Sequence, residues 1–465
     1  ADKWLMAHDT EVERLIDQTK TAIPVFWNEV PRGKTASYCS LVLEKKPNKP
    51  ERIRIVYGGD RQIARPEWTS RNSDMVTKKI FANALVSGGK KFWALDIKDF
   101  YLAEMNMLDE PEFMFLAAKD ITPKMRAKYS EYIHPNTGRL MLKLIRSIYG
   151  MRQAGYIAQR NLLKLLKENG YYESGYDSIF TSSDGKTIFL THTDDFAIGF
   201  DDELDVEKLL RILTEAKYKI TIDKEGRQFC GFEVEYKRDA HEPYIALTIE
   251  KIIDKALIRF GYDKPAKTKT TPYPAAITTN FVNYDPREQP ADTSRKLNPK
   301  EITLLQEMVG VLRYIATAVY GHLELCVAKI AASMADPRES MLQAAQRMLA
   351  YLANPENRNR GLKYYKSDMQ LFAVSDASYG TETRFRSRTG GFIYLGMRDN
   401  PEFVNSPIEV ISHVQQNVAT CTVEAEYVAI FDVAQRIAYL RQLVEGMHYP
   451  QECIEIECDN QGAVG

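Results

Sequence analysis

The sequence is short of cysteine, of long apolar runs and of net charge, and each shortage excludes something. Six cysteines (Cys39, Cys230, Cys326, Cys421, Cys453 and Cys458) are scattered over 465 residues with no CxxC pair. That argues against a disulfide scaffold and against a zinc site, and fits reduced thiols in an intracellular protein. No apolar run approaches the ~20 residues of a membrane span. The nearest, Met308 to Met334, is broken by Arg313, His322, Glu324 and Lys329. No N-terminal stretch reads as a secretory signal. Lys plus Arg (62) nearly cancels Asp plus Glu (63). A histone-like or polybasic protein is thereby excluded, whereas local basic surfaces are not. No repeat or low-complexity tract stands out. The chain starts at Ala1 and trails off at Gly462 to Gly465, just after an apparent strand, so it reads as a piece of something longer.

What is present is ordinary globular material, 44% hydrophobic and 27% charged, long enough for about three domains. Residues 1–242 alternate strand-like and helical runs. "KFWALDIKDFYL" (91–102) and "KTIFLTHTDDFAIGF" (186–200) are rich in β-branched and aromatic residues and predict strands. "AGYIAQRNLLKLLKENG" (154–170) and "DVEKLLRILTEAK" (205–217) have helical spacing. Residues 243–361 are mostly helical, with one helix over 248–262, a Pro-, Thr- and Asp-rich loop over roughly 264–298, and long helices from Pro299. In 362–465, strands over 370–378, 390–396 and 408–414 lead into a helix from about Thr422 to Glu445, and a last strand covers 453–459. Such an order predicts a sheet with a helix packed across it.

The most informative residues are Asp194 and Asp195, adjacent acids in a turn between two apolar runs. Neighbouring carboxylates repel, and desolvation adds to the cost. A solvated turn is the plain alternative, since Asp favours turns. Asp96, however, sits in a second apolar strand with Asp99 close behind it. Acids converging from two strands suit an oxygen-ligated cation such as Mg2+, and two such ions could activate a hydroxyl and stabilise a leaving pyrophosphate.

"LDIKDFYL", "RSIYGMRQAG" and "THTDDFAIGF", in that order and spacing, resemble the reverse transcriptase of copia-type long-terminal-repeat retrotransposons. The resemblance continues through "FCGFEV", "MVGVLRYIATAV", "SDASYG", "TVEAEY" and "CDNQGAV", and covers nearly the whole chain. It implies an α+β right-hand polymerase of fingers, palm (1–242) and thumb or connecting helices (243–361), followed by an α/β ribonuclease H-like domain (362–465). By resemblance, Asp96, Asp194 and Asp195 are the palm carboxylates that hold two Mg2+, with Mn2+ as a substitute. Tyr101 matches the aromatic gate at the nucleotide sugar, Asp99 lies where the backbone nears the triphosphate, and Tyr149 and Gly150 match the turn lining the nucleotide pocket. Arg54 matches the fingers arginine on the triphosphate, a role suited to a bidentate guanidinium. A second fingers cation is expected at Lys45, Lys46 or Lys49, and Phe229 to Phe232 would grip the primer. Two departures stand out. His192-Thr193 replaces an aromatic followed by Val, and "RIVYGGDRQ" lacks the second basic residue usual after its first Val.

Asp376 at the end of one strand, Glu426 in the first turns of the long helix and Asp459 at the end of the last strand could meet across that sheet. By resemblance they are the nuclease metal ligands. Glu424 is a rival to Glu426, but two residues apart on a helix they point differently. The family's fourth acid lies further along, so the nuclease domain of this chain is expected to be incomplete at its C-terminus, and the resemblance does not extend to its activity.

Charge fits a polyanion partner. From Arg139 to Lys167 there are seven basic residues and no acid, and Lys251, Lys255, Arg259, Lys264, Lys267 and Lys269 follow further on. A solvated helix face is the plain reading of either stretch. Phosphate contacts would instead give salt-sensitive, sequence-independent affinity. The expected partners are an RNA/DNA hybrid, primer-template DNA, deoxynucleoside triphosphates and polyprotein neighbours such as integrase, with no membrane. The expected location is the cytoplasm, in a virus-like particle, with the nucleus as the other compartment. A degenerate or domesticated copy that binds nucleic acid without catalysis is the competing reading. An integrase or nuclease built on the ribonuclease H fold alone would leave most of the chain unexplained.

Overall fold

The computed structural model describes residues 2–464 except 46–49, 64, 175–177, 265–266, 274–291 and 401. Lys46 and Lys49, and much of the Pro-rich loop, therefore lie outside the described residues.

A six-stranded antiparallel sheet organises the first half. Its order is Lys219–Asp223, Lys91–Lys98, Asp195–Phe200, Thr187–His192, Ile179–Ser182 and Tyr171–Glu173. Strand alternation assigns its faces. Trp93, Leu95 and Ile97, with Phe196, Ile198 and Phe200, pack on the helices Ala154–Glu168 and Glu203–Glu215. Phe92, Ala94 and Ala197 point the other way, toward the helix Met75–Ser87. This second face is built small so that the helix can approach. A Cβ on Gly199 would sit 2.3 Å from Leu85. Asp96 and Asp195 fall on the same face, at its open end.

A five-stranded sheet, ordered Ala22–Pro24, Leu140–Arg146, Met107–Leu116, Ser37–Glu44 and Arg52–Tyr57, flanks the central one. A four-stranded sheet joins Gln228–Phe229, Phe232–Lys237 and Tyr244–Thr248 to Leu362–Tyr365. The last strand belongs in sequence to the C-terminal segment but pairs Ile245 with Tyr364. The helices Pro299–Ala318, Glu324–Ala332 and Glu339–Leu352 share one apolar core with this sheet and with Met75–Ser87. The C-terminal sheet runs Glu409–Val414, Arg386–Gly396, Gln370–Glu382 and Glu455–Glu457, the last pair parallel. The helix Thr422–Gly446 packs across it through Val433, Ile437, Leu440 and Val444.

One close approach ties the turn after Leu140–Arg146 to the end of Arg52–Tyr57, a strand of the same five-stranded sheet. Gly150 has φ +90°, and a Cβ there would lie 2.3 Å from the Tyr57 carbonyl oxygen. The Tyr57 amide in turn donates to the Tyr149 carbonyl at 2.8 Å. Gly150→Ala would combine a positive φ with a backbone clash. It should lower stability by roughly 2–4 kcal/mol, read from the urea midpoint at unchanged slope.

Candidate active site

The acids converge as alternation requires. Asp195 lies opposite Asp96 in the antiparallel register, and the Ile97 amide donates to the Asp194 carbonyl at 2.8 Å. His192 pairs with Asp195, so the turn is Thr193-Asp194 alone, with the β-branched Thr193 held at φ 59°. A positive φ is rare for such a residue and marks a turn held by its surroundings. Burial raises the Asp195 carboxyl to about 6, with Asp194 and Asp96 adding to the shift and Lys78 opposing it. The Asp194 carboxyl is also raised, by burial and then by Asp96. Lys78, on the helix beneath, is only 6% exposed. Half-buried acids raised by burial and by one another are what a divalent cation would relieve, so the donor set fits hard-metal chemistry.

Asp99 ends the strand in the left-handed conformation (φ 54°), and a 3-10 turn, Phe100–Leu102, follows. This bend brings Tyr101 round beside the acids. Its ring meets Tyr149 edge-on at 5.6 Å, and Arg54 lies 5.4 Å from the Tyr149 ring centre. The Arg54 guanidinium also lies 3.5 Å from Glu44. The Asp99 carboxylate is taken by Arg14, itself paired with the buried Glu11, and lies 3.6 Å from Arg52. Ser147 Oγ donates to the Tyr101 carbonyl at 2.6 Å, and the fully buried Asn106 donates to the Phe100 carbonyl at 2.6 Å. Tyr101 is thus clamped from behind by Ser147, from the "RSIYGMRQAG" segment, and by Asn106, which no motif marks.

A cavity of about 430 Å³ opens beside the acids, lined by Asp96, Asp195, Cys230, Gly231, Lys251 and Lys255 among others. Phe229 to Phe232, expected to grip the primer, all lie along this cavity. Phe229 and Phe232 are 9% and 1% exposed, because alternation turns both rings into the core. The turn between them, Cys230-Gly231, has positive φ at both residues and faces the cavity. The Cys230 thiol stands 4.0 Å from Asp195 Oδ2, and burial pushes it up to about 12. Of the basic run at 139–167, Arg139 covers the Phe115 ring, Arg146 donates to the Thr19 carbonyl and Arg152 to that of Gly59. Those three act at least partly within the fold, whereas Lys251 and Lys255 face the cavity.

In the C-terminal sheet, Val374 pairs with Glu457, and Asp376 and Asp459 each lie two residues beyond that pair. Glu426, 4% exposed, joins them from the helix, and its carboxyl is raised by burial and then by Asp376 and Asp459. Glu424 is exposed and accepts from the Thr420 amide at 2.6 Å, which makes it a helix-end capping group. A ligand atom from each of Glu426, Cys458 and Asp459 lies within 4.8 Å of the others, the one such set among the described residues. Cys458 was missed in the sequence, although it directly precedes Asp459. Because the folded-state proton on Glu426 is held more tightly than the unfolded one, its ionisation costs stability as pH rises through its folded value. Glu426→Gln should therefore raise the melting temperature of the metal-free protein at pH 8 and change it little at pH 4. A scan in chelator at both pH values checks this.

No protein-family model matches the chain. It is 26% identical over 347 residues to the retrovirus-related Pol polyprotein from transposon RE1 of Arabidopsis thaliana, covering 71% of this chain and 21% of that protein. It is 22% identical over 452 residues to the retrovirus-related Pol polyprotein from transposon TNT 1-94 of Nicotiana tabacum, covering 94% of this chain and 31% of that one. The chain thus spans less than a third of the length of either relative. Among solved structures it resembles a foamy viral protease-reverse transcriptase in complex with RNA/DNA hybrid. That match has a TM-score of 0.50 at 13% identity, over 99% of this chain and 49% of the other. The fold is accordingly that of a reverse transcriptase. Among the described residues no helix is long and apolar enough to cross a membrane.

Proposed function

From a chain homologous to transposon Pol polyproteins and folded as a reverse transcriptase, we propose a copia-type polymerase that copies RNA and DNA templates into DNA. Residues 1–242 carry the fingers and palm, 243–361 the thumb and connecting helices, and 362–465 a ribonuclease H-like domain. The reading rests above all on Asp96 facing Asp195 at the open end of the central sheet, with Asp194 in the adjoining turn. The primer 3′-oxygen bonds to the α-phosphorus of a deoxynucleoside triphosphate, and the bond from that phosphorus to pyrophosphate breaks. Asp96, Asp194 and Asp195 would hold the divalent cations, Mg2+ or Mn2+ in its place, which supply the charge that activates the 3′-hydroxyl and neutralises the leaving pyrophosphate.

The chain's own groups do the positioning. Arg54 and Tyr149 form one wall of the nucleotide pocket, with Gly150 packed tightly against the strand that carries Arg54. Tyr101 presents a half-buried ring to the sugar, and Asp99 makes the bend that aims it. Lys251 and Lys255, across the cavity from the acids, offer sequence-independent phosphate contacts to a primer-template or an RNA/DNA hybrid. In the C-terminal sheet Asp376, Glu426 and Asp459 would form a second centre, for hydrolysis of the RNA strand.

Extension of oligo(dT) on poly(rA) with Mg2+ tests the polymerase. Incorporation that falls steeply with salt is expected. Tight hybrid binding with no incorporation in Mg2+ or Mn2+ would leave the non-catalytic scaffold instead.

A further inference from the structure

His192 and Thr193, the two departures in the acid-bearing turn, are both held by one short segment, Asn72–Asp74. Thr193 Oγ1 lies 3.1 Å from Asn72 Oδ1, and Ser73 Oγ lies 3.2 Å from His192 Nδ1. The segment is itself pinned. Gln159 bonds the Arg71 backbone on both sides, accepting from its amide at 2.8 Å and donating to its carbonyl at 2.5 Å. Ser70 seats against Gly155, where a Cβ would come within 2.9 Å of the Ser70 hydroxyl. At its far end Asp74 caps the helix Met75–Ser87, accepting from the Thr77 amide at 2.7 Å. Asp74 Oδ2 also lies 3.7 Å from Arg436 on the long C-terminal helix, and Arg436 is oriented by Glu409 at 2.5 Å.

From these contacts we propose that Asn72 and Ser73 are positioning residues for the Asp194-Asp195 turn, braced through Asp74 by Arg436 of the nuclease-like layer. The inference rests on the polymerase reading for its consequence, though not for its geometry. A turn forced to hold Thr193 at positive φ needs an external tie. The Asn72 carboxamide supplies one through the Thr193 hydroxyl, a contact that Val at this position could not make. His192 takes the second tie through its ring nitrogen. The His-Thr pair and the strap are therefore matched to each other, and the departures are compensated within this chain. A small displacement of the acids costs turnover more than binding, because chemistry demands alignment that affinity does not.

A double-mutant cycle gives the sharpest test. Asn72→Ala and Thr193→Val should each lower single-nucleotide kcat about three- to tenfold, the range of one lost hydrogen bond. Primer-template Kd should stay within about twofold. The double variant should be no worse than either single, since both remove the same contact. Additive losses, or variants that lose only thermal stability, would overturn the proposal. Deuterium uptake across 187–200 gives a readout independent of catalysis. It should quicken at least threefold in Asn72→Ala and Ser73→Ala, and about twofold in Arg436→Gln, with Arg436→Lys at the wild-type rate. Unchanged uptake in Asn72→Ala and Ser73→Ala would refute the strap, and unchanged uptake in Arg436→Gln would refute its brace. A wild-type protein that binds primer-template but adds no nucleotide would sink the polymerase reading, while the exchange data would still decide the strap.

Discussion

Asp195→Asn is expected to lower nucleotide addition by on the order of a thousandfold or more, while the metal-free protein becomes more stable at neutral pH. Both effects follow from the same crowding. Asp195 faces Asp96 across the strands and adjoins Asp194, and burial with those neighbours lifts its carboxyl to about 6. The unfolded carboxyl titrates near ~3.9. The folded state therefore holds the proton more tightly. The stabilisation this lends is complete below the unfolded value, is lost between pH ~4 and ~6, and is absent above. Asparagine never pays the ionisation cost. At pH 8 in chelator the variant should gain on the order of 1–2 kcal/mol after allowance for solvent screening, and at pH 4 it should match the wild type. Full extension by Asp195→Asn would sink the assignment of these acids. A melting temperature unchanged at pH 8 would show that some other group already neutralises them.

Local patterns were legible because each is written in adjacent residues. The strand over Lys91–Lys98 announced itself by its β-branched and aromatic content. The helix Thr422–Gly446 and the strand Gln370–Glu382 fall where spacing put them. The bend after Lys98 was also within reach, since Tyr101 can join the face of Asp96 only if the strand stops. Long-range ties were a different matter. Nothing in the neighbourhood of Asp99 specifies Arg14, 85 residues earlier, as its partner. Leu362–Tyr365 carries an ordinary strand pattern, and only tertiary packing decides that it extends the sheet of Tyr244–Thr248. Phe229 and Phe232 show what a motif leaves open. All four residues from Phe229 to Phe232 line the cavity, and only the fold shows that the two rings are also buried in the core. Cys230 and Cys458 could have been flagged by their place inside motifs. Their approach to Asp195 and Glu426, 4.0 and 3.9 Å, could not.

Tyr101→Val should raise ribonucleotide incorporation at least tenfold and reduce deoxynucleotide use much less. The geometry supplies what steric rejection needs, a ring that cannot retreat. Behind Tyr101 the backbone is fixed by Ser147 and Asn106, to one side the ring meets Tyr149 at 5.6 Å, and Phe100 lies 5.8 Å away. A pocket free to relax would absorb one extra hydroxyl at little cost. A clamped one faces an overpacking penalty of about 1–3 kcal/mol or more, and each 1.4 kcal/mol is about a factor of ten. Valine removes the ring and opens the space beside the sugar C2′. The competing account is that Tyr101 only fills core, since its ring packs partly against the apolar clusters on both sides of the bend. In that case Tyr101→Val would lower stability and both activities together, with the sugar preference unchanged. The ratio of kcat/KM for a ribonucleotide to that for its deoxy counterpart separates the two. Loss of folded protein scales both constants equally, whereas a gate changes only their ratio.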